Sequence, residues 1–259
     1  MPTIQVTAVQ SNIVWLDKHS NLANLESLVG SINKTDLIVF PETFATGFAV
    51  TEPECIEPKV GGDVVDWMTR LASLKGCAIC GSVLVEDGDK KVNRFYWVTA
   101  DGNVEFYDKR HLFRMAGEDT YINPGQQRKI VELKGFRIML NTCYDLRFPV
   151  WSRNQQDYDL LINVANWPVP RRNAWDTLLK ARAIENQSFV VGVNRIGEDG
   201  KGVNHSGGTA IIDFLGSEIV VAEDNESAVI QAELDLNALN DFRLKFPFQA
   251  DADKFQLLD

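Results

Sequence analysis

The chain has 259 residues, of which 45% are hydrophobic and 24% are charged, a composition typical of a folded domain rather than of a disordered or fibrous protein. Its 36 acidic and 26 basic residues give a formal net charge of -10, which argues against a nucleic-acid-binding surface because such surfaces carry a basic excess. No apolar run approaches the roughly 18 residues of a membrane span, and the N-terminus has no signal-peptide pattern. We therefore expect one domain over residues 1–259, located in the cytoplasm and bound neither to nucleic acid nor to a membrane.

The cysteines and histidines do not form a recognisable metal-binding pattern. Cys77 and Cys80 have CxxC spacing, but they fall in an apolar stretch that predicts a strand, where residues three apart point to opposite faces. No second CxxC is present, and the three histidines are not at metal-ligand spacing. We predict no metal site and no cofactor, and a thiol-redox role for Cys77 and Cys80 ranks last among the functions considered.

The spacing of apolar residues predicts a strand-rich α/β chain with a single core. Strands are predicted at residues 3–10, 36–40, 77–86, 93–100, 104–107, 136–142, 159–164, 188–194, 208–214, 218–222 and 228–234. Helices are predicted at residues 18–33, 63–75, 174–187 and 236–242. Pro149 is expected to open a further helix, because the missing N–H of proline costs nothing in the first turn.

Three of the predicted strands end in a reactive side chain. Glu42 follows the strand at 36–40, Lys109 follows the strand at 104–107, and Cys143 follows the strand at 136–142. The strand–turn–helix order around Cys143 lifts its side chain out of the sheet and places backbone N–H groups beside it, as in a nucleophile elbow. A lone cysteine on an apolar strand is more often buried packing, and an isolated Glu or Lys is usually solvated. In an α/β fold, however, residues at a shared sheet edge can converge in one pocket.

The segments around these residues resemble the signature motifs of the nitrilase superfamily of carbon–nitrogen hydrolases. They read PETF at residues 41–44, YDKRHLF at 107–113 and CYDLRFP at 143–149. Two further blocks, ARAIENQ at 181–187 and GVNR at 192–195, also match, so the resemblance covers nearly the whole chain in the expected order. RFPVWSR at 147–153 and NWP at 166–168 are most similar to the omega-amidase branch. One departure is Ala174, where many relatives carry a histidine that lines the pocket.

The resemblance implies a catalytic set. Cys143 would be the nucleophile, Glu42 the general base, and Lys109 a stabiliser of the oxyanion together with the backbone N–H of Tyr144. Glu118, in the long loop before Gly125, is carried over as a supporting residue that orients Lys109 or the substrate amide; the alternative is a solvated loop carboxylate. The chemistry agrees, because a thiol attacks an amide well only with a base or a lowered pKa.

The residues expected to bind substrate are less well marked. Arg171 and Arg172 are candidates for binding a substrate carboxylate, because a guanidinium is its natural bidentate partner, and the alternative is a surface role for at least one of them. Phe44, Phe48 and Trp167 are candidate pocket walls, with a place in the core as the alternative. Asp145 and Arg147 are interpreted as residues that hold the turn after Cys143 by hydrogen bonds, outside the catalytic set.

The resemblance also implies the fold, the assembly and the substrate. It implies a four-layer α-β-β-α sandwich that pairs through helices into a homodimer. It implies a small-molecule amide substrate, the terminal amide of 2-oxoglutaramate or 2-oxosuccinamate, which is hydrolysed through a Cys thioester to the 2-oxo dicarboxylate and ammonia. Two alternatives stay open: a carbamoyl-amide hydrolase or nitrilase of the same superfamily, and a non-catalytic binding protein that retains the fold.

Overall fold

The computed structural model describes residues 2–257 of the chain. The strands in this range are β1 (Thr3–Gln10), β2 (Leu37–Val39), β3 (Glu57–Pro58), β4 (Ala78–Asp87), β5 (Lys90–Val98), β6 (Val104–Asp108), β7 (Ile130–Leu133), β8 (Phe136–Thr142), β9 (Leu160–Ala165), β10 (Phe189–Asn194), β11 (Ile196–Glu198), β12 (Asn204–Ser206), β13 (Ala210–Ile212), β14 (Glu218–Val221) and β15 (Ala228–Asp235). The α-helices are α1 (Lys18–Gly30), α2 (Asp63–Lys75), α3 (Glu118–Tyr121), α4 (Pro149–Ser152), α5 (Arg172–Asn186) and α6 (Leu236–Lys245). Short 3-10 turns span Pro53–Cys55, Arg114–Ala116, Cys143–Arg147, Val169–Arg171 and Phe248–Asp251. Among residues 2–257, none of the helices has the length and apolar character needed to cross a bilayer.

The strands form two mixed sheets and one small hairpin. The first sheet has the order β15-β1-β2-β4-β5-β6, with β3 paired to β4, and the second has the order β14-β13-β10-β9-β8-β7. Strands β11 and β12 pair with each other as a hairpin. Neighbouring central strands run parallel in each sheet, namely β1, β2 and β4 in the first and β8, β9 and β10 in the second. The carboxyl ends of those strands therefore lie at one edge of their sheet, where ligand sites of α/β folds are found.

The two sheets pack face to face around a shared hydrophobic core. Val6 of β1 lies in this core together with Ile138 of β8. The other face of the first sheet is covered by α1 and α2, because Ile38 of β2 packs in a second cluster with Leu25 and Met68 of those helices. Alternation of the side chains along each strand thus buries both faces of the first sheet.

Helix α5 covers the outer face of the second sheet at a glycine of β10. A Cβ at Gly192 would lie 2.8 Å from Leu179 Cδ2 and 3.0 Å from the ring of Trp175, so the absence of a side chain there allows the helix to approach. With α1 and α2 outside the first sheet and α5 outside the second, the predicted four-layer α-β-β-α sandwich is confirmed.

Most of the predicted elements agree with the structure to within a few residues. Helix α2 has the predicted bounds, α1 ends at Gly30 rather than at residue 33, and Pro149 opens α4 as expected. Strands β3 and β7, helix α3 and the β11–β12 hairpin were not predicted. Strand β7 has only four residues, and the β12 segment, Asn204–Ser206, contains no apolar side chain from which alternation could be recognised.

The CxxC pair points to opposite faces of the first sheet, as predicted. Cys80 lies in the core between the sheets, and Cys77 packs on the helix side. All four cysteines carry free thiols. Burial raises the pKa of Cys77 to about 11 and that of Cys80 well above its usual value, so neither provides the thiolate that thiol–disulfide exchange requires. Within residues 2–257, no three His, Cys, Asp or Glu side chains are grouped closely enough to hold a metal ion.

Candidate active site

Cys143 begins a sharp turn at the carboxyl end of β8. The strand stops at Thr142, and the 3-10 turn Cys143–Arg147 starts with the φ of Cys143 at +47°. A positive φ is uncommon for a residue with a side chain and persists only where the surroundings enforce it. The turn leaves Cys143 partly exposed at the end of the sheet, in agreement with the predicted strand–turn–helix order.

The carboxylate of Asp145 holds this turn in place. Asp145 is fully buried and accepts hydrogen bonds from the N–H of Thr142 at 2.9 Å and the hydroxyl of Tyr107 at 2.8 Å. Its second oxygen accepts the N–H of His111 at 3.0 Å and lies 2.7 Å from His111 Nδ1. Asp145 therefore ties the cysteine turn of the second sheet to the end of β6 in the first.

We expect Asp145→Asn to weaken both the fold and the site. The neutral amide replaces charge-assisted hydrogen bonds, so the free energy of unfolding should fall by roughly 1–3 kcal/mol, and alkylation of Cys143 by iodoacetamide should change in rate. Denaturant unfolding and a timed alkylation assay measure the two effects. Asp66→Asn, on the exposed side of α2, is the matched control and should stay within about 0.5 kcal/mol of the native protein. An Asp145→Asn protein as stable as this control would contradict the role of the carboxylate.

Lys109 lies between two carboxylates in a buried cluster. Its Nζ is 2.9 Å from Glu42 Oε1 and 3.1 Å from both carboxylate oxygens of Glu118. The three side chains are at most 1% exposed. Burial alone would lower the pKa of Lys109, but the carboxylates of Glu118 and Glu42 raise it well above its usual range, so the lysine is cationic. Burial raises the pKa of Glu118, an effect that Lys109 opposes and Glu42 increases.

Two asparagines fix the orientation of Glu42. Asn93 Nδ2 donates to Glu42 Oε1 at 2.9 Å, and the backbone N–H of Asn166 donates to Oε2 at 2.8 Å. The side chain of Asn166 also donates to the backbone carbonyl of Glu42 at 2.8 Å. Neither asparagine was among the predicted site residues. Asn166 directly follows β9, so the strand-end criterion that identified Cys143 would have found it, whereas Asn93 lies inside β5 and only the pairing of the strands reveals its position.

The loop that carries Glu118 folds back onto Lys109. Glu118 accepts the N–H of Phe113 at 2.6 Å, and the carbonyl of Lys109 accepts the N–H of Gly125 at 2.8 Å. A Cβ at Gly125 would collide with the backbone carbonyl of Asp108, so this close return requires glycine. One bond therefore closes the loop on itself, and the other fixes its far end to the lysine.

Glu42, Lys109 and Cys143 line one cavity of about 120 Å³. Burial raises the pKa of the Cys143 thiol well above its usual value; the Glu42 carboxylate adds to this rise and the Lys109 ammonium opposes it. The thiol is therefore neutral before a ligand enters. The first sheet supplies Glu42 and Lys109 and the second supplies Cys143, so the three strand ends meet across the sandwich rather than along the single sheet edge that we expected.

Comparison with known proteins identifies the family. The profile described as Carbon-nitrogen hydrolase matches residues 5–244. The chain belongs to the carbon–nitrogen hydrolase family. It is 48% identical over 258 residues to "Omega-amidase YafV" of Yersinia enterocolitica, covering 100% of both chains. It is 30% identical over 249 residues to "2-oxoglutaramate amidase" of Bacillus subtilis, covering 93% of this chain and 95% of that protein.

A solved structure gives the same result. The crystal structure of a CN-hydrolase superfamily protein from Xanthomonas campestris, which holds an arsenic adduct in its active site, matches this chain with a TM-score of 0.95 at 40% identity. The match covers 99% of this chain and 100% of that chain. The predicted membership of the nitrilase superfamily is confirmed, and with it the prediction that the chain is an enzyme, a carbon–nitrogen hydrolase.

Not every candidate substrate-binding residue of this carbon–nitrogen hydrolase lies at the cavity. Tyr144, Phe48, Trp167 and Arg171 line it. Phe44, a candidate wall, instead lies fully buried in the cluster beneath α2, with its ring centroid 5.3 Å from that of Phe40. Phe44 comes after β2 in the sequence, and its apolar ring packs in the core, which was the alternative position considered for it.

Arg172 is also placed elsewhere. Its guanidinium contacts Asp176 and Asp224, each at 2.7 Å, on the outer side of α5. Arg172 is not among the residues that line the cavity. Successive residues of a helix are rotated by about 100°, so adjacent arginines at its start face different surroundings.

The β11–β12 hairpin of this carbon–nitrogen hydrolase forms an unpredicted part of the cavity wall. Asp199, Lys201, Val203 and His205 line the cavity from this hairpin. Asp199 Oδ1 accepts the N–H groups of Lys201 at 2.8 Å and Val203 at 3.0 Å, which fixes the hairpin tip. Burial lowers the pKa of His205 to about 4, with a smaller contribution from Arg195, so the imidazole in the wall is neutral at pH 7.

Proposed function

We propose that this enzyme is an omega-amidase, which hydrolyses the terminal amide of 2-oxoglutaramate or 2-oxosuccinamate to the 2-oxo dicarboxylate and ammonia. The observation that carries the proposal is the meeting of Glu42, Lys109 and Cys143 in one small cavity. Relatives that match nearly the whole chain are named omega-amidase and 2-oxoglutaramate amidase, which supports the choice of substrate.

In the first step, Cys143 Sγ attacks the amide carbonyl carbon while Glu42 takes the thiol proton. Transfer of this proton is required because the buried thiol is neutral in the free enzyme. Glu42 becomes neutral as the charge passes to the substrate oxygen. The ammonium of Lys109, which faced two carboxylates, then faces one carboxylate and the new oxyanion, so the charge of the buried cluster stays balanced.

The tetrahedral intermediate is held by Lys109 and the backbone N–H of Tyr144. The positive φ of Cys143 turns the chain sharply at the nucleophile, and we assign the N–H of the next residue as the second donor to the oxyanion. Glu42 returns its proton to the nitrogen, the carbon–nitrogen bond breaks, and ammonia leaves. The product of this half-reaction is a thioester between Cys143 and the former amide carbonyl, with the 2-oxo acid at the far end of the acyl chain.

Hydrolysis of the thioester repeats this proton transfer, with water as the nucleophile and the sulfur of Cys143 as the leaving group. A water molecule attacks the thioester carbonyl carbon while Glu42 takes a proton from it. The carbon–sulfur bond then breaks, Cys143 leaves as a thiolate and regains the proton from Glu42, and the new carboxylic acid loses its remaining proton to solvent as the 2-oxo dicarboxylate. In both half-reactions Glu118 holds Lys109 from behind through its two 3.1 Å contacts, so we assign it a positioning role.

A substrate panel tests the proposal. The purified protein should release ammonia from 2-oxoglutaramate much faster than from glutamine, asparagine, a carbamoyl amino acid or a simple nitrile. Turnover of the carbamoyl compound, with carbon dioxide released alongside ammonia, would instead identify a carbamoyl-amide hydrolase, and turnover of the nitrile a nitrilase. No turnover of any compound, together with Cys143 that iodoacetamide does not label selectively, would favour a non-catalytic binding protein.

The homodimer also stays a prediction, supported by exposed apolar side chains on the helices. Val150 of α4 is 54% exposed and Ile184 of α5 is 52% exposed. Pairing of these helices with a second chain would remove such side chains from water, which favours association. Light scattering at micromolar concentration should give a mass of twice 29.1 kDa, and a mass of 29.1 kDa would contradict the prediction.

A further inference from the structure

Two arginines face the cavity without a carboxylate partner. Arg147 and Arg171 both line it and are partly buried. Within residues 2–257, neither guanidinium forms an ion pair or a hydrogen bond, although other partly or fully buried arginines such as Arg94 and Arg137 contact carboxylates. We had interpreted Arg147 as a residue that holds the cysteine turn, but Asp145 makes the bonds of that turn.

Aromatic rings support both guanidinium groups. Arg147 Cζ lies 4.9 Å from the ring centroid of Trp167, and Arg171 Cζ lies 4.8 Å from that of Phe113. Such stacking fixes the plane of a guanidinium and leaves its N–H donors directed away from the ring. Two cations are thus held in defined orientations beside Cys143, with their hydrogen-bonding capacity unused.

The charges around the cavity favour an anionic ligand. The chain as a whole carries a net charge of -10, yet Arg147, Arg171 and Lys201 bring three cations to one cavity. The carboxylates at the cavity do not neutralise them: Glu42 is paired with Lys109, and Asp199 binds backbone N–H groups of its own hairpin. Burial, and to a lesser extent the nearby Arg147, lower the pKa of Arg171, as expected for cations that lack a counter-ion.

We propose that Arg147 and Arg171 form a carboxylate subsite that selects amides whose other end carries a 2-oxo acid. The inference rests on the proposed amidase function and deepens it by naming the residues that recognise the substrate. A carboxylate between the two guanidinium groups would receive charge-assisted hydrogen bonds from both sides. It would hold the amide at the opposite end of a short chain within reach of Cys143. Neutral amides of the same length lack this anchor and are poor substrates.

The test compares Arg147→Gln and Arg171→Gln on a charged and a neutral substrate. We expect the KM for 2-oxoglutaramate to rise roughly 10- to 100-fold in each variant, because a hydrogen bond to a charged group is lost. The kcat/KM for butanamide should fall much less, so the ratio of kcat/KM for 2-oxoglutaramate to that for butanamide should drop by roughly 10-fold or more. Arg171→Lys should recover only part of the affinity, because a lysine cannot bind bidentately.

Arg114→Gln is the matched control. Arg114 is in the same loop region as Phe113 but is 85% exposed at its side chain and does not line the cavity. Removal of its charge should leave both substrates unaffected. An equal loss on 2-oxoglutaramate and butanamide in the cavity variants, or no change in either, would overturn the subsite.

A second readout does not depend on amidase activity. The measured quantity is the rate constant for alkylation of Cys143 by anionic iodoacetate divided by that for neutral iodoacetamide. This ratio should be higher in the native protein than in either glutamine variant. A several-fold lower ratio in the variants supports the subsite even if the protein hydrolyses no amide. In that case only the proposed function would fail. A ratio that is the same in the native protein and both variants would overturn the subsite while leaving the amidase proposal intact.

Discussion

Replacement of Cys143 by alanine should lower the rate of ammonia release from 2-oxoglutaramate by at least about 10⁴-fold, a loss typical of enzymes that lack their catalytic nucleophile. Alanine lacks the sulfur that forms the thioester, and nothing else in the cavity is placed to replace it. Because Cys143 is only partly buried, the fold should tolerate the change. Ammonia release under saturating substrate and a circular dichroism melt measure the two expectations.

Cys80→Ala is the control for this experiment. Cys80 is fully buried between the sheets, so its loss should reduce stability without reducing the turnover of the folded protein much. A thiol-redox function through Cys77 and Cys80 makes the opposite prediction. Activity that survives in Cys143→Ala and disappears in Cys80→Ala would exclude the thioester mechanism.

Lys109→Met should affect both activity and stability. The variant lacks one stabiliser of the oxyanion, which should cost roughly 10²–10³ in kcat or more. It also leaves Glu42 and Glu118 buried without the cation between them, and an uncompensated buried charge typically costs about 3–5 kcal/mol. Steady-state kinetics and denaturant unfolding at several pH values measure the two effects.

The pH dependence of this variant has a defined sign. Burial and the charge of Glu42 raise the pKa of Glu118 in the folded protein, and the variant lacks the Lys109 ammonium that opposes this rise. The folded variant therefore binds more protons than the unfolded chain, and its free energy of unfolding falls as the pH rises above the usual carboxyl range. Lys109→Met/Glu118→Gln removes one of the two charges, so stability should recover while activity stays low. A single variant as stable as the native protein at pH 8 would contradict this account of the cluster.

The positions of the reactive residues could be predicted because each follows the end of a strand. A reactive side chain one or two residues after the end of a predicted strand is visible in the sequence, and Glu42, Lys109 and Cys143 all have this property. Their meeting point was predicted less well. Glu42 and Lys109 come from the first sheet and Cys143 from the second, and how two sheets pack against each other is not encoded in the periodicity of either.

The hairpin that closes the cavity depends on contacts distant in sequence. Gly200 at its tip packs directly against the ring of Trp15, and Ile196 pairs with Asn12 in an isolated bridge. Residues so far apart give no local pattern, so Lys201 and His205 could not be assigned to the cavity beforehand. Arg171 and Arg172 illustrate the same limit within one element, because two adjacent arginines are chemically equivalent until the start of α5 turns one toward the cavity and the other toward Asp176.

The central claim is that Cys143 carries the acyl part of the substrate as a thioester at the former amide carbonyl. Acid quenching of the enzyme during turnover of 2-oxoglutaramate, followed by intact-protein and peptide mass spectrometry, tests this directly. We expect a 2-oxoglutaryl adduct on the peptide that contains Cys143, formed as ammonia appears and absent from Cys143→Ala. Ammonia released by the native enzyme with Cys143 unmodified at every quench time, or with the adduct on another residue, would contradict the mechanism.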